Sequence, residues 1–312
     1  MEALKFRKAI LLVSLCLWTL TVFPQVKEDT ISQSDYLLIL NTYTSDAPWS
    51  NAIISPVLQW LNMERKTEVY VENMNMLMID DTLKLADLKT NIFAKYGKKK
   101  PKAVLLLGNS MMLFRNEMRE AWGDVPLILC GEESYMGPDD CYIKKYPVVP
   151  SEQVPLTNFT EEYNLTLLQT RVFIEENVKL LQHMIPGMKK IILIGDGRYV
   201  NQQLNTDMKQ LLQKAYPELE YDFYSAANMT TDSLLLKLNK VDSATTGVLL
   251  SSWFTRQVVA GNVQLQANSF QVISNSVTPI FALKNSLVVN SGMIGVDVLP
   301  ISHPILRKPS KA

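Results

Sequence analysis

Tyr36-Leu37-Leu38-Ile39-Leu40-Asn41 runs straight into Thr42-Tyr43-Thr44-Ser45-Asp46-Ala47-Pro48-Trp49-Ser50, and an apolar-periodic stretch follows. The first six residues read as a strand buried on both faces, because apolar side chains stand at successive positions instead of alternating. Ser45 or Asp46 can cap the helix after it, and Pro48 fits the first turn, where its missing N–H costs nothing. Ile53, Ile54, Val57, Trp60 and Leu61 make one stripe of that helix. Pro56 falls inside the stripe and removes a backbone bond to Ala52, which predicts a kink. A buried strand that ends in a polar, aromatic loop at a helix N-terminus is how open α/β sheets build a ligand site. Nothing in the loop looks catalytic, so the first expectation is a small molecule held at this edge.

The same pattern repeats on both sides of a Pro-rich stretch. Strands are predicted at 36–41, 68–72, 103–107 and 127–130, with helices at 48–64, 82–96 and 110–122 between them. A second series has strands at 190–194, 220–224 and 247–251 and helices at 161–184, 199–215 and 231–240. A weaker helix at 263–274 leads into a strand at 278–283. Pro186-Gly187 stops one helix just before a strand begins. The fold class this predicts is α/β, with two doubly wound lobes. The division is a leader at 1–25, lobe one at 26–137, a crossover at 138–160, lobe two at 161–277, a return segment at 278–295 and an irregular tail at 296–312. Two such lobes make the cleft between them the natural site.

Composition bounds the rest. The chain has 312 residues, 47% hydrophobic, enough to bury a real core in two lobes, and its formal net charge of +0 gives no sign of a polyanionic partner. No nucleic-acid contact is therefore expected, and Lys98-Lys99-Lys100 reads as a solvated loop. Lys5, Arg7 and Lys8 followed by an apolar run to Phe23 are the two parts of a secretory signal, cleaved or kept as an N-terminal membrane anchor. Leu15 stands where a lipoprotein signal needs a small residue before Cys16, so lipidation is rejected. Export permits a disulfide between Cys130 and Cys141, and a buried thiol at Cys130 is the alternative.

Catalytic patterns are thin. The two histidines, His183 and His303, belong to no metal or nucleophile motif, and no nucleophile elbow, phosphate loop or paired-cysteine pattern occurs. Gly195-Asp196-Gly197 lacks the third glycine of a dinucleotide loop. No catalytic residue, metal or cofactor is assigned, and no enzyme activity is expected. Asp196, Arg198 and Tyr199 instead stand at a strand's carboxyl end, where Arg198 can take a carboxylate or phosphate, or close a loop salt bridge on Asp196. Asn109 and Ser110 offer an acceptor and helix-terminal N–H groups at the matching edge of lobe one. Trp49 and Trp253 could stack on a flat ligand from opposite lobes.

Six stretches carry a family resemblance: LLILNTYTSDAPWSNAII, AVLLLGNSMMLFR, VPLILCGEE, MIPGMKKIILIGDGRYV, GVLLSSWF and TPIFALKNSLVVNSGMIG. From Tyr36 to Gly295 the chain resembles the extracytoplasmic sensor regions of hybrid two-component histidine kinases. Those regions are similar to the solute-binding proteins of ABC-type transporters, with a periplasmic-binding-protein-like fold. The resemblance implies a periplasmic setting, a small polar or anionic ligand between the lobes and lobe closure as the signal. It implies ligand contacts at Tyr43, Trp49, Asn109, Ser110, Glu132, Asp196, Arg198, Ser252 and Trp253. The leading expectation is thus a sensing module of a histidine kinase, cut off from its kinase part. The alternative is a free periplasmic solute-binding protein for an ABC-type transporter, so the partners are kinase or transporter components. The register departs from the family at Gly295-Val296, and Pro300, Pro304 and Pro309 predict a tail that does not complete the fold.

Overall fold

The structure is a computed structural model, and it describes residues 36–64, 67–146, 148–259, 262–284 and 293–296. The leader, the tail beyond Val296 and much of the return segment lie outside the described residues. All described residues belong to one compact unit.

Lobe one opens with β1 (Tyr36–Asn41), α1 (Pro48–Glu64), β2 (Glu68–Asn73), α2 (Thr82–Tyr96), β3 (Ala103–Leu107), α3 (Arg115–Trp122) and β4 (Leu127–Gly131). Then come the short pair β5 (Tyr135–Met136) and β6 (Val154–Pro155), with α4 (Asp139–Lys144) between them, and β7 (Leu165–Gln169). The sheet order is β2-β1-β3-β4-β7, all parallel. Its two faces explain the continuous apolar strands. Leu38, Leu40, Val104, Leu106, Leu127 and Leu129 pack on one side, and Ile39, Leu105, Leu107 and Cys130 on the other. Fully burying each such side chain contributes roughly 2 kcal/mol.

Lobe two follows with α5 (Ile174–Met184), β8 (Lys190–Gly195), α6 (Tyr199–Ala215), β9 (Glu220–Ser225), α7 (Thr231–Leu238) and β10 (Thr246–Leu250). The antiparallel hairpin β11 (Phe254–Val259) and β12 (Asn262–Ala267) comes next, then α8 (Ser269–Asn275) and β13 (Phe281–Ala282). Here the order is β13-β10-β8-β9, again parallel, with Ile191, Leu193 and Leu249 facing one core and Ile192, Ile194, Val248 and Leu250 the other. The α/β class with parallel, doubly wound sheets is therefore as expected.

Two segments differ from the periodicity. A helix is expected over 161–184, yet residues 165–169 form the edge strand of lobe one, pairing with β4. Asn164 takes φ 47°, a left-handed conformation that asparagine tolerates and that stops a helix, and its carbonyl accepts from the Leu127 N–H. Only Leu165 of this strand is buried, so the edge position weakens the strand signal. The weak helix at 263–274 is instead strand β12 followed by the short α8. The helix α1 does span 48–64, and Pro56 lies on its exposed side, not in the buried stripe.

Candidate functional site

In each lobe the chain runs outward in both directions from a central pair of strands, β1 and β3 in lobe one and β8 and β10 in lobe two. A crevice opens beyond the carboxyl ends at such a reversal point, and that is where open α/β sheets hold ligands. At the first point the Thr42 and Ser110 hydroxyls share a hydrogen bond of 2.9 Å. Gly108 lets them approach: its φ is +92°, and a Cβ there would lie 2.6 Å from Thr42 Oγ1. At the second point Arg198 Nε and Nη2 each donate to Asp196 at 2.8 Å, and Ser252 Oγ donates to the same carboxylate at 2.8 Å.

These two edges face one cavity of about 60 Å³, lined from lobe one by Thr42, Tyr43, Trp49, Asn109, Ser110, Glu132, Glu133 and Tyr142 and from lobe two by Arg198, Tyr199 and Val200. That is room for about two water molecules. The lobes touch here, for the rings of Tyr142 on α4 and Tyr199 on α6 stand 5.2 Å apart. A wider groove of about 750 Å³ lies against Lys144, Lys145, Asp196, Arg198, Thr231 and Phe254, so Arg198 and Lys145 line both spaces.

Of the residues singled out in the sequence, Tyr43, Trp49, Asn109, Ser110, Glu132 and Arg198 come together around the cavity. Asp196 and Ser252 stand behind Arg198. Trp253 does not join them. It is fully buried in a lobe-two core with Leu234, Leu250 and Val272, and its Nε1 donates to Thr231 Oγ1 at 3.0 Å. Stacking from two opposite tryptophans is therefore ruled out, because Trp253 packs in the core instead of facing the cleft. Trp49 instead meets the Tyr43 ring edge-on at 5.9 Å.

Arg198 makes the salt bridge that the sequence left as an even alternative. Burial pushes the Asp196 carboxyl up, but the Arg198 charge and hydrogen bonds outweigh it and hold the group below its usual range. The guanidinium, 4.4 Å from the Phe254 ring, is thus neutralised within lobe two. Glu132 pairs with Lys284, joining the end of β4 to the segment after β13. Lys145 Nζ donates to the carbonyls of Ile79 and Ile143 at 2.6 and 3.0 Å.

Two wall residues, Tyr142 and Lys145, carry no signal in the sequence, while Glu133 and Tyr199 stand at strand ends that the sequence marks. Glu133 follows Glu132 at the carboxyl end of β4, and burial and the Glu132 charge push its carboxyl up to about 7. Tyr142 and Tyr199 bring buried hydroxyls without a hydrogen-bond partner among the described residues, and Asn109 Oδ1 is a third such atom. Lys145 sits at φ 56° as the residue ending α4. Only the pairing of adjacent edges across the cleft makes these groups a site. Cys130 and Cys141 are both free and buried, on opposite faces of the lobe-one sheet, so they are not bridged. Among the described residues no cluster of three or more His, Cys, Asp or Glu could hold a metal ion.

No known family model matches the chain, and no curated protein matches it. Solved structures do match in shape. One is an ABC domain in complex with L-Trp from Streptococcus pneumonia, at 13% identity and TM-score 0.47, over 82% of this chain and 76% of that one. A second is an ABC transporter periplasmic solute-binding protein from Actinobacillus succinogenes with bound D-allose, at 12% identity and TM-score 0.48, over 84% of each chain. A third is a ligand-free, open substrate-binding protein with adhesive properties from Clostridium difficile, at 10% identity and TM-score 0.46 over 82% and 76%. A likeness at this level says nothing about what this chain binds. The chain's own sheet orders and facing strand ends define its class, a two-lobed α/β protein with parallel, doubly wound sheets.

Proposed function

We propose that this chain is an extracytoplasmic solute-binding protein that holds a small polar ligand in the cleft and passes it to an ABC-type transporter. One observation carries the binding part: the reversal points of both sheets open on a single cavity, with Thr42, Asn109 and Ser110 on one wall and Arg198 and Tyr199 on the other. The Asp196–Arg198–Ser252 network positions lobe two's contribution. A ligand as large as an amino acid or a sugar requires the lobes to part at the Tyr142–Tyr199 contact, because the present cavity holds only a few atoms. The export reading of Lys5, Arg7, Lys8 and the apolar run to Phe23 supports the extracytoplasmic setting. Among the described residues no helix is long and apolar enough to cross a membrane.

Sensing for a histidine kinase is the second reading, favoured by the SDAPWS, GDGRY and SSWF stretches. The test starts from protein unfolded and refolded to strip bound solute. Calorimetry against amino-acid, sugar and amine panels, with native mass spectrometry of the unstripped protein, should find a saturable one-to-one ligand. Its affinity should fall on changing Trp49 or Asn109. A protein that binds nothing from these panels and carries nothing on purification ends the binding reading. Crosslinking in the native cell envelope then separates a transporter permease from a kinase as the partner.

A further inference from the structure

The polar atoms on the chamber wall are not balanced. Asn109 is 2% exposed, and its Nδ2 faces the carbonyls of Glu133 and Tyr135 at 3.3 and 3.5 Å. Those two acceptors orient the amide, so Oδ1 is the atom left without a partner, and it is an acceptor. It overhangs Gly131, where a Cβ would lie 2.2 Å from Asn109 Oδ1 and 3.6 Å from Glu133 Oε2. Two acceptor oxygens therefore converge on one small space, and the glycine keeps that space open.

Among the described residues Glu133 makes no ion pair, while the neighbouring charges are engaged elsewhere: Lys284 with Glu132, and Arg198 with Asp196. The hydroxyls of Tyr142 and Tyr199, each more than nine-tenths buried, add two further unpartnered groups, each able to accept as well as to donate. The rings of Tyr43 and Trp49 complete the wall, and ring faces attract cations. Leaving the buried Asn109 acceptor unmade is costly, and the half-buried Glu133 carboxylate without an ion-pair partner adds to that cost. The Asn109 and Glu133 oxygens and the two ring faces ask for a donor that carries positive charge.

We propose that the chamber takes the ammonium group of an amine ligand, with Asn109 Oδ1 and Glu133 as its acceptors and Tyr43 and Trp49 against its adjoining carbons. This rests on the binding reading and narrows it to a ligand class. The volume of about 60 Å³ suits such a head group and not a whole solute, so the remainder of the ligand extends out of the chamber as the lobes part. Arg198 then serves as a fixed wall of lobe two, already neutralised, and not as the primary charge contact.

The test uses two series of probes, each on one alkyl group: butylammonium, butanol and pentanoate, and phenethylammonium, phenethyl alcohol and 3-phenylpropionate. Stripped, refolded protein is titrated with each by calorimetry at pH 8, alongside the Glu133→Gln and Glu133→Asp variants. The ammonium members should bind about tenfold or more tightly than the alcohols, and the carboxylates weakest. Glu133→Gln should erase that preference while Glu133→Asp keeps part of it, and circular dichroism should show both variants folded. Equal or tighter binding of the alcohols or carboxylates, or an amine preference unchanged in Glu133→Gln, overturns the ligand class and leaves the binding reading standing. Failure of every probe at millimolar concentration overturns the ammonium chamber. The broader panels described above then decide whether the cleft binds anything at all.

Discussion

Arg198 lies flat along Asp196, with Nε on Oδ1 and Nη2 on Oδ2, both at 2.8 Å, and the carboxylate it covers is only 1% exposed. Ser252 closes the arrangement, donating to Asp196 and accepting from Arg198 Nη2 at 2.7 Å. The loop after β8 and the loop after β10 are thereby tied together at the lobe-two edge of the cleft. A pair of this kind is dear to break from one side, since removing one partner strands a buried charge. Arg198→Ala should destabilise the protein by about 3–5 kcal/mol in urea unfolding. Asp196→Asn combined with Arg198→Ala should recover part of that loss, because no charge is then stranded. A single-variant loss under about 1 kcal/mol would show the pair to be no more than a surface ion pair.

Trp49 and Trp253 should separate cleanly in experiment. Trp253 fills a core at 0% exposure, so Trp253→Ala should cost about 3–5 kcal/mol of stability. The milder Trp253→Phe should leave ligand affinity as in the parent chain. Trp49 is only partly buried, against Tyr43 on the chamber wall, and its replacement by alanine should act mainly on binding. Calorimetry and urea melts on both variants check this, and weakened ligand binding in Trp253→Phe would contradict the assignment.

What was legible in the chain followed from burial. Strands such as Ala103–Leu107 and Lys190–Gly195 are apolar on both faces because helices cover both sides of a parallel sheet, and that signal survives without neighbours. Edge strands lack it. Leu165–Gln169 has one covered residue, and its Leu-Thr-Leu-Leu run satisfies a helical period as well as a strand. The site divided along the same line. Tyr43, Asn109, Ser110 and Arg198 were found because strand-end position is a local property. Tyr142 and Lys145 owe their places to contacts between segments far apart in the chain, and no local pattern carries that. Trp253 follows a strand end as a cleft residue would, but its apolar ring fills the core with Leu234, Leu250 and Val272, and no local pattern separates the two.

The two cysteines of the folded part should behave as inert thiols. Cys130 and Cys141 are buried in separate cores, and burial pushes them up to about 11 and about 12 respectively, the latter helped by Asp139 and Glu133. In a chain carrying Cys16→Ser, a thiol reagent at pH 8 should label neither site in the native state and both sites after unfolding in urea. Mobility on a denaturing gel should be the same with and without reductant. Rapid labelling of the native protein, or a mobility change on reduction, would contradict the unbridged, buried arrangement.

Glu133 should leave a trace in the pH dependence of stability even without ligand. Its ordinary value is 4.5, and burial together with the Glu132 charge raises it to about 7, with hydrogen bonding from its own backbone N–H and the Lys284 charge partly opposing. The other groups that share its field are Tyr43 after β1, Cys141 and Tyr142 on α4, and Tyr199 on α6, all pushed upward by burial and so uncharged below pH 8. Between pH 4.5 and 7 the folded protein holds this proton while the unfolded chain has released it, so stability falls as pH rises through that window and levels off above it. Glu133→Gln removes the titration. The variant's stability relative to the parent should therefore climb with pH across the window, by on the order of 2 kcal/mol once partial exposure is allowed for. Taking the difference cancels the titrating groups that do not interact with Glu133. Urea melts of both proteins at half-unit pH steps read it directly. A difference that stays flat from pH 4.5 to 8, or that slopes the other way, would mean that the Glu133 carboxylate is solvated or paired, and it would remove the charge imbalance on which the ammonium assignment stands.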